Sequence, residues 1–518
     1  MVIGDFLKKH GRDIPNEEAL VFKKRRISFG QYDEETDRVA IGLLNAGVRR
    51  GDRIGIYSPL WPEAVFAFFG AAKIGAIGVP LSPRTTAPEL KFFLNDSGIT
   101  ALFLPTEFMG SDFMANLESV RDETPTLKHV VCMDQKREGT TFYREFLAEP
   151  DPAALKSAMD AVNEDDPAIF IYTSGTTGIP KAAMLTHKNL ISLTDAQIKA
   201  ADYYQGNILL LNLPFSHAGG AVMGIVCNAN IGNKVVMMDM FDPEETLRLI
   251  DAEKATTLGQ VPVMYAMELM HPNADKYDLS SLKISIVSAQ PCPSELIVAF
   301  RDKLGVIPRN AYGLTEVSGA VTYTHPDDGT EKLTYSVGKP IPGVDLVIKD
   351  FDENILPQGE VGEICIKGDM VMKGYWQRPD DDARVFDRDG YLHTGDMGQL
   401  DEDGYLIIVG RKKEMYIRGG ENVYPPEIED VICKHPDVMM AAVLGRPHEK
   451  WGEVGRAYIM PNPGKEPTPE AIKEFLKDKL SNFKIPEDII IRPMLPLTPI
   501  GKVKKLELYQ EIRKEFNV

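Results

Sequence analysis

From Ile27 to about Leu104, short apolar runs alternate with stretches whose apolar residues recur at helical spacing. Gly51-Asp52-Arg53 leads into the run Ile54-Gly55-Ile56-Tyr57, and Pro62 opens a helix predicted through Ala72, proline being favoured in a helix's first turn. Residues 76–80 read as the next strand, 87–96 as an amphipathic helix and 101–104 as a further strand. Strand, helix, strand in repetition predicts a parallel sheet flanked by helices. Phe66, Phe68 and Phe69 fall at helical spacing and are read as core. The runs at 168–171, 208–213, 257–265 and 284–293 continue the same pattern, while 136–166 is polar and reads as surface connections and short helices. From Ser336 to Leu400 short β segments with frequent glycines predict a small barrel-like subdomain. Residues 414–518 read as a small α+β domain in which Pro425-Pro426 opens a helix over 427–434.

The stretch that stands out chemically is Tyr172-Thr173-Ser174-Gly175-Thr176-Thr177-Gly178-Ile179-Pro180-Lys181, which follows the apolar strand 168–171. Glycine lets backbone N–H groups approach an anion, the hydroxyls add donors, and lysine adds a positive charge, a combination suited to a polyphosphate. It is not a Walker A loop. Counted from Gly175, Lys181 is in register, but Pro180 stands where the second glycine belongs and Ala182 where the metal-binding hydroxyl belongs. A plain Ser/Thr/Gly turn is the alternative that local composition leaves open.

Composition narrows the class. Across 518 residues, 43% hydrophobic and 26% charged content are ordinary for a globular chain long enough for two to four structural units. A formal net charge of −18 and a pI near 5.1 argue against general nucleic-acid or anionic-membrane binding. Cys132, Cys227, Cys292, Cys365 and Cys433 are scattered without metal-ligand spacing, which favours a reducing, cytoplasmic setting. The first residues lack a basic flank followed by an apolar core, so no signal peptide is expected, and no run reads as a membrane span.

Three further segments hold candidate chemistry. His217 follows the strand 208–213 and precedes Ala218-Gly219-Gly220, so it can line a pocket or simply be a satisfied polar residue. In Asn310-Ala311-Tyr312-Gly313-Leu314-Thr315-Glu316, Tyr312 offers a flat face for a purine and Glu316 a hard oxygen for magnesium, against the commoner fate of a solvated acid. Arg411-Lys412-Lys413 and the lone Lys502 would ordinarily be surface charges.

The 172–190 segment, read with the landmarks that recur in order to Lys505, resembles the signature of the adenylate-forming superfamily of acyl-CoA synthetases, luciferases and adenylation domains. Ala182 departs from the glycine usual after the lysine, Ser216 from the aromatic usual before the histidine, and Gln290 from the usual small residue. The resemblance implies a large N-terminal domain, 1–411, of two parallel-sheet α/β subdomains plus the barrel-like one. It further implies a hinge at 412–413 with Lys413 as pivot, and a small mobile α+β domain, 414–518.

It also assigns roles. ATP would be bound by Thr173, Ser174, Gly175, Thr176, Thr177, Gly178, Lys181, Ala289, Gln290, Pro291, Asn310, Ala311, Tyr312, Gly313 and Thr315, with Asp396, Ile408 and Arg411 toward the ribose and phosphates. Glu316 and Thr176 would hold Mg2+; Lys502, Glu316 and Thr176 would be catalytic. His217, Ala218, Gly220, Ser288, Gly313, Val317 and Gly319 would line the acyl pocket, and Gly419 and Gly420 the path of coenzyme A. Acetate-using relatives carry tryptophan where Gly313 stands, so a larger acid is expected.

The implied activity is AMP-forming acyl-CoA synthesis from a medium-chain, aromatic or alicyclic acid, with ATP, Mg2+ and coenzyme A and no nucleic-acid or integral-membrane partner. Free coenzyme A is the expected acceptor, since the chain ends soon after Lys502 and keeps Gly419-Gly420. Loading of a separate carrier protein, a luciferase-like oxygenase and a long-chain fatty acid ligase are the alternatives within the family. A non-catalytic nucleotide binder would predict loss of Lys502 or Glu316, and both are present.

Overall fold

The computed structural model describes residues 1–173, 179–288, 294–497 and 503–516, with backbone only at Ser294 and Glu295. The chain packs as two compact units, Met1–Leu346 with Ile366–Leu392, and Val347–Cys365 with His393–Val518.

In the first unit the predicted strand-helix rhythm is present. Strands Arg53–Tyr57, Ile77–Leu81 and Ile99–Leu104 pair in parallel, linked by helices Pro62–Lys73 and Ala87–Ser97. The second helix is bounded at both ends: the Thr86 N–H donates to Glu89 Oε2 at 2.7 Å, and Gly98 closes the helix at φ +62°. Strand Pro167–Thr173 joins in parallel beside Ile77–Leu81, and Lys181–Thr186 returns antiparallel at the sheet edge, which sets Thr173 opposite Lys181. The residues that begin and end the proposed phosphate loop are therefore cross-strand partners.

Phe66, Phe68 and Phe69 are buried, and Phe68 packs edge-on against Phe69 and Phe215. The Phe68 ring also accounts for Gly78, where a Cβ would come within 2.7 Å of it. Lys73, at the end of the same helix, is fully buried; its ammonium donates to Thr36 Oγ1, Asp33 Oδ1 and Asp37 Oδ1, which offsets the cost of removing the charge from water.

The second sheet has nine strands. Its parallel centre runs Arg309–Leu314, Ile284–Ser288, Thr257–Gln260, Ile208–Leu211, Lys234–Met237, then Glu18–Phe22 from the N-terminus. Gly319–Tyr323 turns back antiparallel on Arg309–Leu314. The strand predicted over 208–213 ends at Leu211, short of the predicted Leu213. The polar stretch 136–166 holds a short strand, Thr141–Phe142, and the helices Tyr143–Phe146 and Pro152–Asp160.

The short β segments form a four-stranded sheet in the order Asp345–Lys349, Gly362–Lys367, Leu392–Leu400, Leu406–Arg411. The C-terminal part is α+β as expected. The long antiparallel pair Val438–His448 and Gly452–Pro461 carries Asp488–Ile491 in parallel, and the predicted helix spans Pro425–Cys433. Alternate residues of Val438–His448 face opposite ways, as a strand requires. Ala441 and Val443 pack with Ile428, Ile432, Ile472 and Leu476, while Ala442 and Leu444 pack with Leu508 and Ile512. Among the described residues no helix is long and apolar enough to cross a membrane, and the described cysteines are free thiols.

Candidate active site

Glu316 owes its place to a tight reversal. Strand Arg309–Leu314 exits into the single turn Thr315–Val317, and Ser318 reverses the chain at φ +66°, a left-handed conformation unusual for a residue with a side chain. Ser318 is buried and its hydroxyl donates to the Met370 carbonyl at 2.8 Å, while the Met372 N–H donates to the Glu316 carbonyl at 2.7 Å. The turn is thus held by segment 370–372.

That segment runs on along the outer edge of Lys181–Thr186. Lys373 donates its N–H to the Met184 carbonyl, Met184 to Gly374, and Trp376 to Ala182, each at 2.9 Å. Tyr375 lies between these bonds, and its hydroxyl donates to Glu316 Oε1 at 2.8 Å; the Thr173 hydroxyl donates to the same oxygen at 3.3 Å. Burial first, then the neighbouring Glu316 carboxylate, pushes the Tyr375 pKa far up, so it acts here as an O–H donor.

Lys181 is turned toward the same segment. Its Nζ is 2.6 Å from Asp381 Oδ1, with side-chain exposures of only 10% and 15%, and it sits 5.3 Å from the centroid of the Tyr375 ring. Asp382 accepts the Tyr375 N–H at 2.7 Å, and burial raises its pKa despite that bond. A Cβ on Gly374, at φ +134°, would meet Asp382 Oδ2 at 2.6 Å, which is why the position is glycine.

These donors fit a magnesium–nucleotide complex. Among the described residues no group of three or more His, Cys, Asp or Glu could hold a metal by itself, and magnesium needs only one or two carboxylates when phosphates complete its shell. Glu316, with one oxygen oriented by two hydroxyl donors, could serve as such a carboxylate.

Residues expected at the acyl pocket occupy neighbouring backbone. Ser288 is beside Ala311, and Gly313 and Leu314 face Ala320 and Gly319 across the reversal. Val317 is buried. A Cβ on Gly319 would meet Leu193 Cδ2 at 2.7 Å and Met223 Cγ at 2.9 Å, so these two apolar side chains close on the glycine. At Gly313 an added Cβ would sit 1.8 Å from the Gly319 carbonyl oxygen, so this glycine has a backbone reason of its own.

His217 is exposed, Ala218 is buried, and the His217 carbonyl accepts the Gly220 and Ala221 N–H groups at the start of Gly219–Val226, an eight-residue π-helix. π geometry of that length is rare and is associated with functional sites. Gly220 passes so close to the Pro214 carbonyl that a Cβ would lie 2.2 Å from it. Asn310 is buried with its amide donating to the Leu333 and Ser336 carbonyls, Tyr312 is buried, and Thr315 is half-buried.

In the second unit Asp396 and Arg411 are cross-strand partners whose carboxylate and guanidinium are 3.1 Å apart, and Ile408 lies opposite Gly398. Lys412 donates to Glu363 Oε2 at 2.8 Å. Burial would raise the Glu363 pKa, but the hydrogen bonds from His393 and Lys412 prevail and hold it below the usual range. Lys413 is exposed in the turn where the Glu414 and Met415 N–H groups both donate to the Arg411 carbonyl. Gly419 and Gly420, at φ +62° and +93°, form the two-residue turn between Tyr416–Arg418 and Glu421–Val423, a geometry that needs positive φ at both positions. Ser174, Gly175, Thr176, Thr177, Gly178, Ala289, Gln290, Pro291 and Lys502 lie outside the described residues.

Tyr375, Asp381, Asp382 and Met223 are the additions the sequence reading missed. The only local signal for the first three was an aromatic pair, Tyr375-Trp376, set between Gly374 and Pro379 in a polar stretch.

Residues 7–376 match the family described as AMP-binding enzyme, and 427–502 match its C-terminal domain. The 3-[(3aS,4S,7aS)-7a-methyl-1,5-dioxo-octahydro-1H-inden-4-yl]propanoyl:CoA ligase of Rhodococcus jostii (strain RHA1) is 35% identical over 514 residues, covering 98% of each chain. Medium-chain acyl-CoA ligase ACSF2, mitochondrial, from Bos taurus is 32% identical over 542 residues, covering all of this chain and 88% of the relative. Among solved structures, the anthranilate CoA ligase AuaEII in complex with anthranoyl-AMP superposes with a TM-score of 0.85 at 25% identity, covering 100% of this chain and 98% of the other. With both family regions present and relatives aligned over nearly its whole length, the chain belongs to the AMP-binding enzyme family of the adenylate-forming superfamily, as a carboxylate–CoA ligase.

Proposed function

We propose that this protein is an AMP-forming acyl-CoA synthetase that activates a compact acid larger than acetate: a medium-chain fatty, aromatic or alicyclic carboxylate. The observation that carries the reading is the cluster in which Thr173 and Lys181, the two ends of the phosphate loop, face each other while Thr173 and Tyr375 orient the Glu316 carboxylate.

The chemistry runs in two steps. A carboxylate oxygen of the acid attacks the α-phosphorus of ATP, the bond to the β-phosphate oxygen breaks, and pyrophosphate leaves an acyl-adenylate. The thiol of coenzyme A then loses its proton and attacks the carbonyl carbon, and AMP departs with the oxygen that came from the acid. Transfer of this kind depends on positioning and charge neutralisation more than on covalent help. Lys181 and the 173–181 loop would steer the β- and γ-phosphates, and Lys502 would bind the carboxylate and α-phosphate as charge builds. Bound magnesium would add neutralisation at the phosphates, held by Glu316 and Thr176. Asp396 would accept hydrogen bonds from the ribose hydroxyls, with Arg411 beside it. A domain rotation about Lys413, between a large domain 1–411 and a small one 414–518, would exchange the two steps.

The acid class is supported by the small residues Ala218, Gly220 and Gly319 and the apolar pair Leu193 and Met223. It is supported too by relatives named for a bicyclic propanoate, a medium-chain acid and anthranilate. The test is AMP formation with coenzyme A over acetate, hexanoate, palmitate, benzoate, a cyclohexene carboxylate and several amino acids. One compact acid is expected to dominate. Preference for acetate or palmitate refutes the size class, and adenylate formation that coenzyme A never discharges points to a carrier protein or oxygen.

A further inference from the structure

Two side chains of the segment Gly374–Asp382 touch the two charged groups to which the proposed nucleotide handling is assigned. Tyr375 donates to Glu316 Oε1 at 2.8 Å and presents its ring to the Lys181 ammonium, whose ion-pair partner is Asp381 at 2.6 Å. The segment is held rigidly for this. The three 2.9 Å backbone bonds involving Lys373, Gly374 and Trp376 fix it to strand Lys181–Thr186. Beyond Tyr375, the Trp376 indole donates to the Asp96 carbonyl at 3.1 Å and the Arg378 guanidinium is 2.5 Å from Asp96 Oδ1, both at the end of helix Ala87–Ser97. The Tyr375 hydroxyl therefore has little freedom except to hold Glu316.

We propose that Tyr375 is a positioning residue for the metal-bearing end of the nucleotide: by pinning one oxygen of Glu316 from a segment anchored at both sides, it sets the direction in which the carboxylate meets the cation. This rests on the ligase reading given above. Thr173 makes the longer, 3.3 Å bond to the same oxygen and supports the same orientation from the loop side. Partners of this kind commonly set metal affinity without touching the metal.

The test uses the full-length protein and Mn2+ as the probe, with free Mn2+ measured by electron paramagnetic resonance. A non-hydrolysable ATP analogue with a methylene between the α- and β-phosphorus is present in the Mn2+ titrations, and the KM for the acid is measured separately with ATP. Tyr375→Phe, which keeps the ring and removes only the hydroxyl, is expected to weaken Mn2+ binding about ten-fold. Analogue binding without metal and the KM for the acid should stay unchanged, which a general loosening of the fold would not allow. Thr173→Val should give a smaller loss on the same readout. Glu316→Gln serves as the control. If it abolishes Mn2+ binding while Tyr375→Phe stays within about two-fold of the parent, the ligase reading stands and the positioning role is wrong. If Glu316→Gln also binds Mn2+ normally, the metal assignment falls and the positioning role with it.

Discussion

Lys181 and Asp381 face each other at 2.6 Å with most of both side chains out of water, so the loop lysine is already matched by a negative charge before any phosphate arrives. On the proposed reading of the loop, an incoming polyphosphate would compete with that carboxylate. Asp381→Asn keeps a hydrogen-bond acceptor and removes the charge, and should tighten inorganic pyrophosphate binding by calorimetry about five-fold, the equivalent of about 1 kcal/mol. Equal or weaker binding would show that Asp381 orients Lys181 and does not compete for it. A second buried acid makes a pH prediction. Burial pushes Glu268 up to about 8, with Gln260 donating to its Oε1 at 2.6 Å. The unfolded chain gives up this proton near the ordinary 4.5 and the folded chain near 8. The group's contribution is therefore full below about pH 4.5 and is lost progressively as pH rises toward 8. Glu268→Gln should raise the free energy of unfolding in urea at pH 8 by something on the order of 3 kcal/mol and match the parent at pH 4.5. Parallel curves across that range would contradict the assignment.

At the scale of elements, local rules carried the reading where contacts are short in sequence. The parallel strands and their linking helices were legible because burial on both faces and helical spacing leave distinct patterns, and Pro62 marks a helix start. The strand-like edge formed by Lys373–Trp376 was not legible, since backbone hydrogen bonds to a strand nearly two hundred residues earlier leave no trace in side-chain pattern. For the same reason nothing in the sequence singled out Tyr375 or Asp381, which only the tertiary fold buries. The glycines were legible as small, and at Gly313 the structure adds a backbone cause that the sequence did not show. Gly313 is pressed against the Gly319 carbonyl by the reversal that presents Glu316. Gly313→Ala should therefore destabilise the protein by about 2–4 kcal/mol in urea unfolding even though it adds one methyl group. A neutral result would mean that the strands part easily and that pocket size alone explains the glycine.

For the whole molecule, a net charge of −18 disfavours anions in general, so the proposed binding of ATP and pyrophosphate would need cations placed at the site itself, and both Lys181 and Arg411 are held by a carboxylate partner. Both family regions are present in one chain, and the chemistry they imply passes an oxygen from the acid to AMP. The roles proposed for Lys502 and Thr176 rest on resemblance alone, because a lone lysine and a threonine in a polar loop carry no signal of their own and both lie outside the described residues. The claim that all these parts serve is the acyl-adenylate, and it has a direct isotopic test. The preferred acid, labelled with 18O in both carboxylate oxygens, is turned over with ATP and coenzyme A, and the products are weighed by mass spectrometry. One 18O atom in each AMP and the other in the thioester is the result predicted here; unlabelled AMP would contradict the account.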